Sequence, residues 1–435
     1  MTDIAEREPR IVIVGAGPSG CFIAGALRRS LPGAQIVVID RLPCPFGLVR
    51  YGVAADHQST KSITRQFDRI FTREGVEFAG NVRVVREPEA GAVTLDELVD
   101  VADAVVLATG LAADRPLGVP GDDLPGVYGS GAITGLLNSH PDGEAAEDAL
   151  ARLGERVSIV GMGNVAIDLI RFLAKEDTDF DGSDINDAAL DAYRRSQVAS
   201  VDVFSRSPIE LAKCDAQMIR ELSQIAGLHV TLHGAVGVDT DTVADRTQKS
   251  RVEALRELAA RAVPDDVRIE LRLHFGARPE RVVGTDRVER LLVSTGEGSR
   301  LEVAADSIIS AIGFEAGPGC LAIATPDAGS GRIRPGLYRV GWLRRGPRGT
   351  IPENRADAVA VAAEIVSDFG SGAIDRVEAG TPILPEEVAV AAVSYDQWLA
   401  VDRHERESAP FGRIRAKLRS SAQMLHVARE NAPAA

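Results

Sequence analysis

The 435 residues predict an α/β protein built on two parallel-sheet units, and three observations carry that prediction. The run Ile11–Val14 is continuously apolar and passes directly into Gly15, Gly17 and Gly20, spaced GxGxxG. A second strand-like run, Val157–Val160 (VSIV), passes into Gly161, Gly163 and Ala166, spaced GxGxxA. Glycine is abundant, 42 residues, which suits a chain with many tight strand-to-helix turns. A strand that is apolar at every position is covered on both faces, as in the middle of a parallel sheet. Each glycine turn therefore reads as the junction of a Rossmann-like dinucleotide-binding domain.

In the first junction Gly15 permits the tight turn, Gly17 lets the backbone come close to a pyrophosphate, and Gly20 lets the helix pack closely on the strand. Gly15, Gly17, Ser19 and Gly20 are assigned to the cofactor's phosphates, at the positive end of a helix that includes Phe22–Arg29. A second strand, Gln35–Ile39, ends at Asp40. That acid stands near the spacing expected of the carboxylate that binds a ribose hydroxyl pair.

Composition narrows the class. The chain is 45% hydrophobic and 26% charged, as in a soluble globular protein of about two to three domains. No apolar run reaches the roughly 18 residues that would span a membrane. The opening MTDIAEREPR carries acids and no apolar segment, so no secretory leader is expected and a cytoplasmic location is. Cys21, Cys44, Cys214 and Cys320 form no CxxC, so neither a zinc site nor a redox dithiol is signalled, and no metal is expected. A net charge of −14 argues against nucleic acid as a bulk partner and leaves a local basic patch open.

The stretch Arg41–Lys61, RLPCPFGLVRYGVAADHQSTK, is too rich in Gly and Pro for a helix or strand interior and is predicted as a structured loop. Within it, PFGLVRYGVAADH resembles the signature of the adrenodoxin reductase family of ferredoxin–NADP reductases, with Ala55 where the family usually has Pro. GNVRV (Gly80–Val84) and ADAVVLATG (Ala102–Gly110) continue the resemblance. It implies FAD and NADP as cofactors, with Leu48 and Val84 touching FAD and His57 near the isoalloxazine. Without the motif, His57 would read as a structural histidine.

GNVAxD, covering Gly161, Gly163, Asn164, Val165 and Ala166, resembles the family's NADP site. The next strand, Ser200–Phe204, ends in Ser205, Arg206 and Ser207, with no carboxylate. An acid there would bind the free 2′-hydroxyl of NAD and repel a 2′-phosphate, whereas an Arg with flanking hydroxyls pairs with phosphate. Ser205 and Arg206 therefore favour NADP. The family has adjacent arginines, RRGP, where this chain has SRSP. Losing one charge-assisted contact costs roughly 1.5–3 kcal/mol of preference, so use of NADH stays open. The family's Glu-Leu-Arg-Glu-Leu falls in KCDAQMIREL, Lys213–Leu222, where only REL is intact. Glu221 is the candidate carboxylate near the nicotinamide; a surface-helix glutamate is the alternative. Arg246–Arg261 is an amphipathic helical stretch carrying Arg246, Lys249, Arg251, Arg256 and Arg261. It is either a docking face for an acidic iron–sulfur partner, by analogy with the family, or a solvated helix face.

Asp306–Phe314, DSIISAIGF, parallels ADAVVLATG and reads as the return to the first domain. Then GLYRVGWLRRGPRGTIPENRAD, Gly336–Asp357, resembles the family pattern GW-x-x-RGP-x-G-x-I-x-x-N-x-x-DA. The resemblance places Trp342 and the backbone N–H groups of Gly349, Thr350 and Ile351 at the flavin, before a helix of about Pro352–Phe369. The FAD domain is thus discontinuous, 1–110 with 306–435, around an NADP domain at 111–305. The implied activity is hydride transfer from NADPH to FAD, then single electrons to a ferredoxin-type iron–sulfur protein, with His57 and Glu221 as proton-handling residues. Two other readings stay open: a flavin-dependent oxidoreductase with a small-molecule acceptor, and a non-catalytic nucleotide-binding or redox-sensing protein. The missing CxxC disfavours a disulfide reductase.

Overall fold

The computed structural model describes residues 8–143, 147–234, 245–296, 298–321, 323, 329–378 and 380–430. The chain divides into two compact units, one made of Met1–Val53, His57–Ala113 and Phe314–Ala435, the other of Ala54–Asp56 and Asp114–Gly313.

The first unit is built on a six-stranded sheet in the order Arg332–Arg334, Leu337–Arg339, Ala104–Leu107, Arg10–Val14, Gln35–Ile39, Glu77–Ala79. All pairs are parallel except the hairpin between the first two. Arg10–Val14 lies inside, with Ile11 level with Ile36 on one side and Ala104 on the other. Strand parity explains its unbroken apolar run. Ile11 and Ile13 pack into one apolar cluster with the helix Pro18–Ser30 and the helix Ile351–Ser371. Val12 and Val14 pack into another on the opposite face, with Val93, Leu95 and Leu98.

The second unit repeats the plan. Its six strands run parallel in the order Leu228–His233, Ile269–Phe275, Ser200–Ser205, Arg156–Val160, Ser307–Ser310, Val127–Gly129. One face packs on the helices Asn164–Ala174, Ala216–Leu222 and Arg246–Ala259. The other buries Val160, Phe204 and Ile308 against an antiparallel sheet of Arg278–Val283, Arg290–Ser294 and Arg300–Ala304.

The stretch 41–61 departs from its expected irregularity: it holds two short helices, Gly47–Tyr51 and Gln58–Lys61. Tertiary contacts override the local Gly/Pro content. Phe46 N donates to Ala16 O at 2.8 Å. The buried Arg50 guanidinium meets the fully buried Glu405 carboxylate at 2.5 Å and lies over the rings of Tyr51 and Trp398. Lys417 Nζ donates to Arg50 O at 3.1 Å. Among the described residues no helix is long and apolar enough to cross a membrane.

Candidate cofactor sites

The glycines of the first turn differ in what a side chain would meet. Gly15 has φ +109°, and a Cβ there would lie 2.6 Å from Ala108 O. A Cβ on Gly20 would lie 1.9 Å from Gly15 O. These two are held to glycine by the fold itself. Gly17 is different: its φ is −71°, open to any residue, and nothing stands within 4 Å of its Cβ position. It caps the helix Pro18–Ser30, so the space in front of it faces the helix's positive end. This cradle fits a dinucleotide pyrophosphate. Asp40 ends the neighbouring strand and accepts hydrogen bonds from Ala16 N (2.8 Å) and Leu42 N (3.0 Å). Burial lifts its carboxyl above the usual range against the pull of those N–H groups.

The last third of the chain closes on this turn. A Cβ on Gly341, φ +70°, would lie 2.1 Å from Ser19 Oγ, and that hydroxyl donates to Asn354 Oδ1 at 3.3 Å. Asp357, one helical turn beyond Asn354 and 4% exposed, accepts from Gly341 N (2.6 Å) and Arg344 Nε (2.8 Å). Arg345 donates to Asn354 Oδ1 at 2.6 Å. The turn 341–346 is therefore held by the helix that follows it. Trp342 stacks on Phe314 at 5.5 Å, and its buried indole Nε1 has no hydrogen-bond partner among the described residues. A buried donor without an acceptor calls for a ligand or water there, which also fits a bound flavin.

The remaining residues assigned to this site are placed as follows. Gly47 packs on Gly17, a Cβ there falling 3.0 Å from Gly17 Cα, and the following Leu48 is 41% exposed. Val84 is half-buried on Arg83–Val85, and His57 is half-buried at the start of Gln58–Lys61. Gly349 is exposed at φ +93° and Ile351 opens the long helix. The Thr350 N–H donates to the Glu353 carboxylate in a capping box at the start of that helix.

The second turn reproduces the first. Gly161 has φ +119°, with a Cβ 2.2 Å from Ala311 O, while Gly163 caps Asn164–Ala174 at φ −105° with nothing within 4 Å. Ala166 is fully buried, Val165 half-buried, and Asn164 Oδ1 accepts from Asp215 N at 2.8 Å. Ser205 is buried and its hydroxyl donates to Ser207 O at 2.9 Å, which closes the turn. Arg206 is exposed, with no side-chain partner among the described residues.

Glu221 stands in an ion cluster that sequence reasoning missed. Arg171, with an 8% exposed side chain, meets Asp56 at 2.6 Å, Asp168 at 3.2 Å and Glu221 at 3.5 Å, and Lys175 meets Asp56 at 2.5 Å. Glu221 and the residue preceding His57 thus share one guanidinium. The only sequence signal was the Asp168–Arg171 spacing of one helical turn. Arg251, expected on an outward basic face, instead donates to Cys214 O (2.7 Å) and Glu210 O (3.3 Å).

Two Rossmann-like units with paired glycine cradles define a two-dinucleotide oxidoreductase. The family model of pyridine nucleotide-disulphide oxidoreductases matches residues 9–330, and the chain belongs to that family. It is 40% identical to cindoxin reductase of Citrobacter braakii, over 98% of this chain and 92% of that one. It is 31% identical to mitochondrial NADPH:adrenodoxin oxidoreductase of Salvelinus fontinalis, over 98% and 93%. The solved structure of Mycobacterium tuberculosis FprA in complex with NADPH superposes with a TM-score of 0.88 at 29% identity, covering 97% of this chain and all of the other. The chain's cysteines are all free thiols, so nothing here supplies the disulphide of the family's name.

Proposed function

We propose that this chain is an FAD-dependent reductase that takes a hydride from NADPH and delivers single electrons to a ferredoxin-type iron–sulfur protein. The observation that carries the reading is the repeated cradle: Gly17 in one unit and Gly163 in the other stand open at helix N-termini while their neighbours are locked by backbone contacts. Relatives named for cindoxin, adrenodoxin and ferredoxin, and a structural neighbour that binds NADPH, support the same assignment. FAD, when bound, supplies the conversion of a two-electron hydride into two one-electron transfers.

The chain's own residues do the rest. The turn Gly15–Gly20 receives the FAD phosphates, Asp40 the ribose, and Leu48, Val84, Trp342, Gly349 and Ile351 surround the ring system. Gly161–Ala166 receives the NADPH phosphates, and the unpaired Arg206 takes the 2′-phosphate. His57 holds or moves a proton beside the flavin, and Arg171 pairs with Glu221 and orients it. The acceptor is acidic, and the setting is cytoplasmic. The test is NADPH-driven cytochrome c reduction by the FAD-loaded protein, with and without added ferredoxin. Reduction that depends on ferredoxin is expected; turnover only with small-molecule acceptors overturns the reading.

A further inference from the structure

We propose that Lys213 is the cation that holds the pyrophosphate of the nicotinamide nucleotide at the second glycine turn, which leaves the choice between NADPH and NADH to Arg206; the inference rests on the reductase reading above. The turn itself brings no positive side chain: Gly161–Ala166 is GMGNVA. The end of the helix Asn164–Ala174 offers about half an elementary charge, well short of what a pyrophosphate diester carries. Arg171 on that helix is committed to Asp56, Asp168 and Glu221, and Arg251 on Arg246–Ala259 to the carbonyls of Cys214 and Glu210.

Lys213 is brought to the turn by its backbone. Its N–H donates to Met162 O at 3.1 Å, and Met162 is the residue between the two glycines. Two residues on, Asp215 N donates at 2.8 Å to Oδ1 of Asn164, the first residue of the helix that Gly163 caps. Arg251 ties the same segment from the other helix through Glu210 O and Cys214 O. Ala212 and Cys214, on either side of Lys213, are buried in the core of this unit, while Lys213 is exposed. The segment is thus fixed against the turn and its one ammonium is left outward, with no side-chain partner among the described residues. The acid nearest in sequence, Asp215, has Oδ1 on Gln217 N, where it caps Ala216–Leu222. A compact ammonium on a flexible four-carbon stem suits the open space in front of Gly163, where a Cβ would meet nothing within 4 Å.

The pyrophosphate and the 2′-phosphate therefore fall to different cations. Pyrophosphate is common to NADPH and NADH, so a cation on it raises the affinity of both equally and gives no choice between them. Arg206, directly after the strand Ser200–Ser205, is the cation placed for the 2′-phosphate.

The experiment measures calorimetric binding of NADP+, NAD+ and 2′-AMP to the FAD-loaded wild type, Lys213→Gln, Lys213→Arg and Arg206→Ala. The probe 2′-AMP carries the 2′-phosphate without the pyrophosphate. Lys213→Gln should weaken NADP+ and NAD+ by the same factor, about tenfold, reduce the salt dependence of both and leave 2′-AMP unchanged. Lys213→Arg should keep most of the wild-type affinity, and all the variants should keep the wild-type thermal midpoint. Arg206→Ala should weaken NADP+ and 2′-AMP and spare NAD+. A Lys213→Gln protein that binds NADP+ as the wild type does overturns the proposal. So does a loss shared with 2′-AMP, which would move Lys213 to the 2′-phosphate, or a loss that arginine does not restore, which would make its role structural. A wild type that loads FAD but binds neither dinucleotide overturns the reductase reading itself.

Discussion

Gly17→Ala separates folding from cofactor binding. The backbone at Gly17, φ −71° and ψ −176°, accommodates alanine, and its Cβ would touch nothing within 4 Å. Replacing glycine at a compatible site stabilises by about 0.4–1 kcal/mol through the unfolded chain. Alanine is a poorer N-cap than glycine by a similar amount, about 0.5–1 kcal/mol, so the apoprotein should be nearly as stable as the wild type. The methyl group fills the space the pyrophosphate needs. Overpacking of that kind costs about 1–3 kcal/mol, which weakens FAD binding roughly 5- to 150-fold. The contrast is Gly20→Ala, whose Cβ would sit 1.9 Å from Gly15 O and cannot be accommodated without moving backbone. The assay is titration of deflavinated protein with FAD, read by quenching of flavin fluorescence, beside the thermal midpoint of each apoprotein. A Gly17→Ala protein that binds FAD as the wild type does, or whose apoprotein collapses as Gly20→Ala should, refutes the reasoning.

The same logic moves to the second unit with Gly163→Ala, which should keep its FAD and its fold while KM for NADPH rises by a comparable factor in steady-state ferricyanide reduction. Arg206→Ala should lose roughly 1.5–3 kcal/mol of binding to the 2′-phosphate, about 10- to 150-fold in KM for NADPH, with KM for NADH unchanged; an equal loss for both nucleotides would place Arg206 elsewhere. Asp202 gives a pH dependence. Burial pushes its carboxyl up, but hydrogen bonds from His274 and Arg272 outweigh that and hold it below the usual range. The folded value lies below the unfolded one, so its contribution to stability is present above pH about 4 and is lost as pH falls through the folded value. Urea midpoints of the wild type should drop below that pH more steeply than those of Asp202→Asn.

What the sequence revealed and what it hid follow from the range of the forces involved. The α/β class with two nucleotide turns was legible because its signals are local. Ile11–Val14 is apolar at every position since both faces are covered, Val157–Val160 is buried throughout with Ser158 its one polar residue, and the glycines sit where backbone oxygens crowd the turn. The long-range partners left no periodic trace. Ser19 meets Asn354 across 335 residues, and Arg171 meets Asp56 across 115. The Asn-x-x-Asp spacing of Asn354 and Asp357 was visible in the motif, but its work, holding Gly341, needed the fold. Two donors assigned to the cofactors have local partners that the sequence did not show. Thr350 N–H and the Ser205 hydroxyl satisfy their own local backbone geometry, a helix cap and a turn, before any ligand arrives.

The central claim is that one chain couples NADPH to FAD and then to an iron–sulfur acceptor. Anaerobic titration of the FAD-loaded protein with NADPH, followed by addition of ferredoxin, tests it most directly. NADPH should bleach the visible flavin absorbance, more readily than NADH does, and ferredoxin should restore it as the ferredoxin itself is reduced. A flavin band that NADPH leaves unchanged, or a reduced flavin that ferredoxin does not reoxidise, contradicts the account.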